Sequence, residues 1–350
     1  MNISDFLILK QLTVKDAMKK LDLIEFKILF IVGDNSVLKG SITDGDVRRY
    51  ILNNGSLDSS VENACNRDPF YLMSGFDEEK AKKDMAYYKI LFAPVVDGNN
   101  SVKNIFTLSD HSRITDKHNT SLSDIPVVIM AGGKGTRMEP FTNVLPKPLI
   151  PIENKTMVEH IINGYQRYDI NDFFLTVNYK GNLIEAYFNG IEKDYNVSFL
   201  RETEFLGTAS SLKLMKDVPD TFIVSNCDII VKADYADVID FHKKSGSVLT
   251  VLSSIQHQTI PYGVVEFENG GKVTNIEEKP EYSISVNTGV YILDKKAWEY
   301  IPDNSFFHMT HLIEKLIQEN HIVMTYPVNE NDYKDVGQWE EYNKNIKNWS

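Results

Sequence analysis

The sequence predicts an α/β protein in two parts: a small α/β unit built as an internal repeat, then a larger unit around a mixed, mostly parallel sheet. Three observations predict it. Ile125-Pro126-Val127-Val128-Ile129-Met130-Ala131 is an almost wholly apolar run of strand length, which suits a strand buried on both faces and so a parallel sheet. It runs directly into Gly132-Gly133-Lys134-Gly135-Thr136-Arg137, a Gly-rich loop at the carboxyl end of a strand, where open α/β sheets bind ligands. Finally, Thr43-x-x-Asp46 recurs 64 residues later as Thr107-x-x-Asp110.

In the first unit, Gly40-Ser41-Ile42-Thr43-Asp44-Gly45-Asp46 reappears in weaker form as Asn104-Ile105-Phe106-Thr107-Leu108-Ser109-Asp110. Apolar strands precede each copy, at 28–32 and 90–96, and each strand follows a helix-like segment, at about 14–22 and 77–87. Asp-Asn and Asp-Gly-Asn-Asn turns link the strands. Two copies are too few for a solenoid and suit a pseudo-symmetric pair. Over residues 8–115 the pattern resembles a tandem pair of cystathionine-β-synthase-type (CBS) domains. The pair is placed at 1–118, with copies at about 8–57 and 58–118. The resemblance implies an adenine nucleotide held by Thr43, Asp46, Thr107 and Asp110. The residues themselves also read as turn hydroxyls and helix N-cap carboxylates, which leaves a structural or dimerising role open. A homo-oligomer is expected. The polar stretch from Asp116 to Asp124 shows no apolar periodicity and contains the linker, 119–124.

The second unit, 125–350, carries the chemistry. Three glycines in four positions bring backbone N–H groups close to a ligand, and Lys134 and Arg137 add charge beside them. The loop matches neither a Walker A nor a GxGxxG pattern. Ten residues on, Pro146 and Pro148 fix the backbone on both sides of Lys147, presenting a second phosphate ligand.

The stretch Met130-Ala-Gly-Gly-Lys-Gly-Thr-Arg-Met-Glu-Pro-Phe-Thr-Asn-Val-Leu-Pro-Lys-Pro-Leu-Ile-Pro-Ile152 resembles the signature of the sugar-1-phosphate nucleotidylyltransferases. The likeness extends in order through Leu206-Gly207-Thr208-Ala209, Asn226-Cys227-Asp228, Glu278-Lys279-Pro280, Asn287-Thr288-Gly289 and Asp335-Val336-Gly337, covering residues 125–342. It implies a Rossmann-like fold that joins an NTP to a sugar 1-phosphate and releases pyrophosphate. Such a nucleophile is already largely dianionic at neutral pH, so the reaction needs positioning and cations rather than a general base.

The resemblance assigns Arg137 and Lys147 to the β- and γ-phosphates, Lys279 to the sugar phosphate, and Asp228 and Asp335 to one or two Mg²⁺ ions. It lines the nucleotide site with Ala131, Gly132, Gly133, Lys134, Gly135, Thr136, Gly207 and Thr208, and the sugar site with Tyr262, Gly263, Glu278, Asn287 and Gly289. Glu202 (Glu204 is the second choice) precedes the Leu-Gly-Thr-Ala element. A carboxylate there can accept the paired N1–H and N2–H₂ donors of guanine, which points to GTP. Glu278 could pair with an ammonium, as in glucosamine 1-phosphate. Similar CBS-linked guanylyltransferases supply GDP-glucosamine for legionaminic acid-type sugars. The other readings are a mannose- or glucose-1-phosphate enzyme using GTP, UTP, dTTP or CTP, and a catalytically silent nucleotide-sensing protein.

With 37 Lys+Arg and 49 Asp+Glu the net charge is −12, which argues against a nucleic-acid surface or a polybasic membrane anchor. Residues 1–124 account for −2 and residues 125–350 for −10. No apolar run reaches the ~20 residues of a membrane span. The N-terminus does not read as a signal peptide, and two distant cysteines suit a reducing cytoplasm. His308-Met-Thr-His311 has metal-like spacing but no third ligand is evident. Gln338-Trp339 departs from the family's usual Thr-Pro.

Overall fold

A computed structural model describes residues 3–24, 27–88, 90–107, 121–337 and 342. The chain divides into two compact units, Met1–Lys117 and His118–Ser350.

The first unit contains two copies of one β-α-β-β plan. β1 (Leu7–Leu9), α1 (Val14–Leu23), β2 (Ile28–Val32) and β3 (Leu38–Thr43) form the first copy, followed by α2 (Asp44–Leu52). β4 (Leu72–Met73), α3 (Glu78–Tyr87), β5 (Phe92–Val96) and β6 (Val102–Thr107) form the second. In each, the first strand is parallel to the second and the second antiparallel to the third. Register repeats with the sequence: Ile28 faces Thr43 and Phe92 faces Thr107, with a bulge beside Gly40 in one copy and Asn104 in the other. Val37 and Ser101, equivalent positions in the two copies, meet in an antiparallel bridge. That is where a local two-fold axis would pass. Phe6, Phe30, Val32, Leu38, Phe92, Val96 and Val102 form the core that both copies share. Residues 57–66 bond back to the first copy, through Lys15 N to Leu57 O (2.9 Å) and Ser41 N to Asn66 O (2.9 Å). The second copy's first strand is Leu72–Met73.

Thr43 and Asp46 form a capping box at the start of α2. Asp46 Oδ2 accepts from Thr43 N (2.9 Å) and Thr43 Oγ1 accepts from Asp46 N (3.3 Å). Thr13 and Asp16 make the same box on α1. Thr107 ends β6, and Asp110 lies outside the described residues.

The second unit begins with β7 (Val127–Met130), buried along its whole length. Then come β8 (Pro151–Ile152), β9 (Lys155–Thr156), α4 (Met157–Gln166), β10 (Asp172–Val177), α5 (Gly181–Gly190), β11 (Asn196–Arg201), β12 (Thr221–Asn226), β13 (Ile229–Val231) and α6 (Tyr235–Ser245). They are followed by β14 (Leu249–Thr259), β15 (Gly263–Phe267), β16 (Val273–Glu278), β17 (Glu281–Asp294), α7 (Lys295–Glu299), α8 (Met309–Gln318), β18 (Val323–Asn329) and β19 (Tyr333–Asp335). Seven strands make one mixed sheet in the order β11-β10-β7-β12-β17-β14-β18. β11, β10, β7 and β12 are mutually parallel, and β17 is antiparallel to both its neighbours. This explains the unbroken apolar runs at β7 and β12: each has strand neighbours on both sides and packed side chains on both faces.

The chain leaves β7 to one side, through β10 and β11, and returns to the other as β12. A topological switch point results, with a crevice between the loops that follow β7 and β12. A core of Val128, Phe222, Val224, Leu249, Tyr291 and Leu293 packs against Met309, Leu312 and Leu316 of α8. A smaller cluster lies in the signature region: Met138, Ile150, Ile152 and Met157 pack with Val336 and Tyr342. It ties the glycine loop to the Asp335-Val336-Gly337 segment. β15 and β16 form a separate, mostly exposed hairpin between β14 and β17.

Candidate active site at the carboxyl ends of the central strands

The crevice is a cavity of about 250 Å³. Gly132, Gly133, Gly135, Thr136 and Arg137 line it from the β7 loop, and Lys147 from the Pro-flanked turn. Glu202, Gly207 and Thr208 come from the segment after β11, and Asn226, Cys227 and Asp228 from the end of β12. Of the residues expected at the nucleotide and metal sites, Ala131, Lys134 and Asp335 do not line it. Ala131 is buried and gives its N–H to Thr176 O (3.1 Å), and Lys134 points to solvent.

The glycines serve different purposes. Gly135 has φ +67, and a Cβ there would stand 3.0 Å from the Lys147 Cβ and from the Thr142 Cγ2. Its bareness lets Lys147 pack beneath the loop. A Cβ on Gly132 would come within 2.9 Å of Glu202 Oε1, so loop and carboxylate share one wall.

Lys147 and Asp228 are both buried, 7% and 6% exposed, and the lysine ammonium donates to Asp228 Oδ2. Arg137 Nη2 stands 3.6 Å from the same oxygen. Two cations thus converge on one carboxylate at the cavity floor. Asp335 is brought to it by the short β13–β19 ladder, where Ile229 faces Asp335 and Val336 N donates to Asp228 O (3.0 Å). A Cβ on Gly337 would collide with the Asp228 carboxylate and stand 2.5 Å from Lys147 Nζ, so only glycine closes this corner.

Among the described residues no group of three or more His, Cys, Asp or Glu side chains is arranged to hold a metal. Two carboxylates beside a phosphate-sized cavity nevertheless fit Mg²⁺, a hard ion that takes one or two carboxylates and fills its shell with phosphate oxygens and water. Cys227 is no nucleophile. Burial, and then the Asp228 charge, push its thiol up to about 12.

Glu202 is held at the edge of the sheet, its N–H donating to Val177 O (2.9 Å). Burial raises its carboxyl to about 7, and the Thr176 hydroxyl offsets this only in part. Its Oε2 is buried with no hydrogen-bond partner among the described residues. Such an orphan costs free energy and invites a donor.

Of the expected sugar residues, Tyr262, Gly263 and Glu278 lie at the base of the β15–β16 hairpin, and Asn287 and Gly289 lie in β17. Gly263 faces Glu278, and Lys279 N donates to Tyr262 O (3.2 Å). Lys279 is exposed and sits at φ +51, a left-handed conformation unfavourable for a side chain-bearing residue. Asn287 Oδ1 accepts from Gly289 N (2.9 Å) and its Nδ2 donates to Tyr291 Oη (2.9 Å). Gly289, at φ +83, packs directly on the Asn226 side chain, which joins this strand to the cavity wall.

Sequence reasoning missed Asn226, Thr176, Phe205 and Ser211, which also line the cavity. Asn226 had a signal, being the residue where an apolar strand turns polar just before Asp228. Thr176 lies inside a strand run and had none.

Residues 126–349 match the profile of the nucleotidyl transferase family. The chain belongs to that family. Among relatives, the mannose-1-phosphate guanyltransferase of Yarrowia lipolytica is 34% identical over 183 residues, half of this chain and half of that protein. A UTP–glucose-1-phosphate uridylyltransferase of Synechocystis is 28% identical over 61% of each. The chain spans about half the length of the first of the curated relatives it matches. The crystal structure of HddC from Yersinia pseudotuberculosis aligns with 65% of this chain and all of its own, with a TM-score of 0.50 at 24% identity, which shows the shared nucleotidyltransferase fold.

Proposed function

We propose that this nucleotidyl transferase family member joins GTP to a sugar 1-phosphate and releases pyrophosphate. The observation that carries the reading is the convergence of Lys147 and Arg137 on Asp228 at the floor of a glycine-lined cavity. Two polyanions must meet there, in a unit whose own balance is −10. Arg137 and Lys147 would neutralise the β- and γ-phosphates and the departing pyrophosphate, and the glycine loop would offer its N–H groups. Lys279 would hold the phosphate of the incoming sugar. Asp228 and Asp335 would hold Mg²⁺, which would supply positive charge to offset that of the phosphates.

Guanine is the base favoured by Glu202. Its buried, unpartnered oxygen suits adjacent N–H donors, which guanine has as a pair and uracil, thymine and adenine do not. Several relatives are named as guanyltransferases, which agrees. For the sugar, Glu278 beside Lys279 favours a 2-amino sugar such as glucosamine 1-phosphate over mannose or glucose 1-phosphate. The deciding experiment is pyrophosphate release from four NTPs against glucosamine, mannose and glucose 1-phosphates, with and without Mg²⁺. Faster turnover of UTP or dTTP than of GTP would remove the guanine assignment. Absence of release from every pair would remove the enzymatic one.

The first unit is proposed to be a CBS-type pair that senses an adenine nucleotide. Its two-copy plan supports this, while Thr43 and Asp46 serve each other as the N-cap box of α2. If AMP and ATP change neither the rate nor the melting of the full chain, the unit has only a structural role.

A further inference from the structure

The Leu206–Ala209 segment brings Gly207 and Thr208 to the cavity, and it is fastened to the chain that leads into α8. Phe307 N donates to Leu206 O (2.6 Å), and Phe307 O accepts from Ala209 N (3.0 Å) and Ser210 N (3.2 Å). Gly207, at φ +101, lies so close that a Cβ would be 2.6 Å from Phe307 O. Beyond this backbone seam, and the Ser210 Oγ that donates to Ser305 O (2.6 Å), is a side-chain lock at Thr208. His308 Nδ1 accepts the N–H of Thr208 (3.2 Å), and Thr208 Oγ1 in return accepts the N–H of Met309 (3.1 Å). His311 Nδ1 accepts from His308 N (3.2 Å) and steadies the backbone from which that imidazole projects. Met309 and Leu312 anchor α8 in the core, so the lock is attached to a rigid element.

Because a backbone N–H points at it, His308 Nδ1 must carry a lone pair, and the ring proton resides on Nε2. The His308/His311 pair, with the spacing of metal ligands, thus turns its Nδ1 atoms to backbone donors.

We propose that His308 is a positioning residue for the nucleotide-binding loop: by accepting the Thr208 N–H it fixes the geometry in which Gly207 and Thr208 meet the NTP. The inference rests on the proposed use of this cavity for an NTP. Without the acceptor, the Thr208 N–H is left unpaired, and of the two ties at the start of α8 only the Met309 N–H to Thr208 Oγ1 bond remains. Nucleotide binding then weakens, while the reacting groups Arg137, Lys147 and Asp228, on other loops, are untouched.

The test compares His308→Asn with His308→Phe in the full chain. Asn offers an acceptor at the same distance from the backbone as Nδ1, whereas Phe keeps the ring and loses the acceptor. The expected result is a KM for GTP raised about 5- to 30-fold in His308→Phe, the lower part of the range for an unpaired donor, as suits a partly buried one. Its kcat stays within about 3-fold, and His308→Asn is near wild type. Melting curves of both confirm the fold. Should His308→Phe fail to fold, His308→Gln, whose acceptor lies one bond too far out, is expected to show the same rise in KM. An unchanged KM in His308→Phe, a His308→Asn as impaired as His308→Phe, or a loss confined to kcat overturns the proposal. Wild-type protein that binds no NTP overturns the proposed function and this inference together, whereas normal wild-type binding with an unaffected His308→Phe overturns this inference alone.

Discussion

Lys147 donates to Asp228 across 81 residues of chain, and both partners are buried. A buried ion pair is weak evidence of net stability, but breaking one side of it is costly because a charge is left unpaired. Arg137, at 3.6 Å and largely exposed, compensates only in part. Lys147→Met is expected to destabilise the protein by about 3–5 kcal/mol, and Asp228→Asn by a comparable amount. The double variant should recover much of the stability and none of the activity. Urea unfolding of the four proteins measures the cycle, and additive single effects would show that the two groups do not depend on each other.

Gly337 completes the same corner. A Cβ there has no room beside the Asp228 carboxylate and the Lys147 ammonium. Gly337→Ala is therefore expected to push the pair apart, at about 1–3 kcal/mol, the usual range for overpacking. Activity should fall far more than stability, because the same two groups are the ones proposed to meet metal and phosphate. Retention of more than half the wild-type rate would show that the corner relaxes freely.

Glu202 gives a pH dependence with a definite sign. Its folded value of about 7 lies above the ordinary 4.5, so the folded protein holds this proton more tightly than the unfolded chain. That stabilisation is complete below pH 4.5 and is lost as pH rises through about 7. Glu202→Gln, which cannot ionise, should be close to wild type near pH 4.5. By pH 8 it should be more stable by roughly 1–3 kcal/mol. Denaturation curves at the two pH values decide it, and a constant difference would mean that Glu202 is solvated. The same substitution should cost GTP turnover roughly 10- to 100-fold, because the amide replaces one of the two acceptor oxygens by an NH₂ that donates and so opposes the second base N–H.

What the sequence made legible follows from how local each feature is. The 64-residue repeat survives as matched register: the residue left out of the ladder is Lys39 in one copy and Lys103 in the other, and the neighbouring paired position accepts Gly40 or Asn104 alike. The Gly132–Arg137 loop was readable because strand, turn and cations are contiguous. The Lys147–Asp228 pair was not, since the cluster of Met138, Ile150 and Val336 that brings these segments together forms only in three dimensions. For the same reason His308, which looked like half a metal site, faces a loop a hundred residues earlier. Gln338-Trp339 lies outside the described residues.

Lys279 holds a left-handed backbone at φ +51 on an exposed hairpin base, where burial offers no compensation. Such strain accords with the sugar-phosphate role proposed for this side chain. Glycine adopts this conformation freely and leaves Pro280 undisturbed. Lys279→Gly is therefore expected to match or slightly exceed wild-type stability, by about 1 kcal/mol at most once the greater entropy of an unfolded glycine is counted. Its KM for the sugar 1-phosphate should rise at least 10-fold, with little change in KM for GTP, because Lys279 is assigned to the sugar phosphate alone. A Lys279→Gly enzyme that lost GTP affinity instead would move this lysine to the nucleotide side of the site.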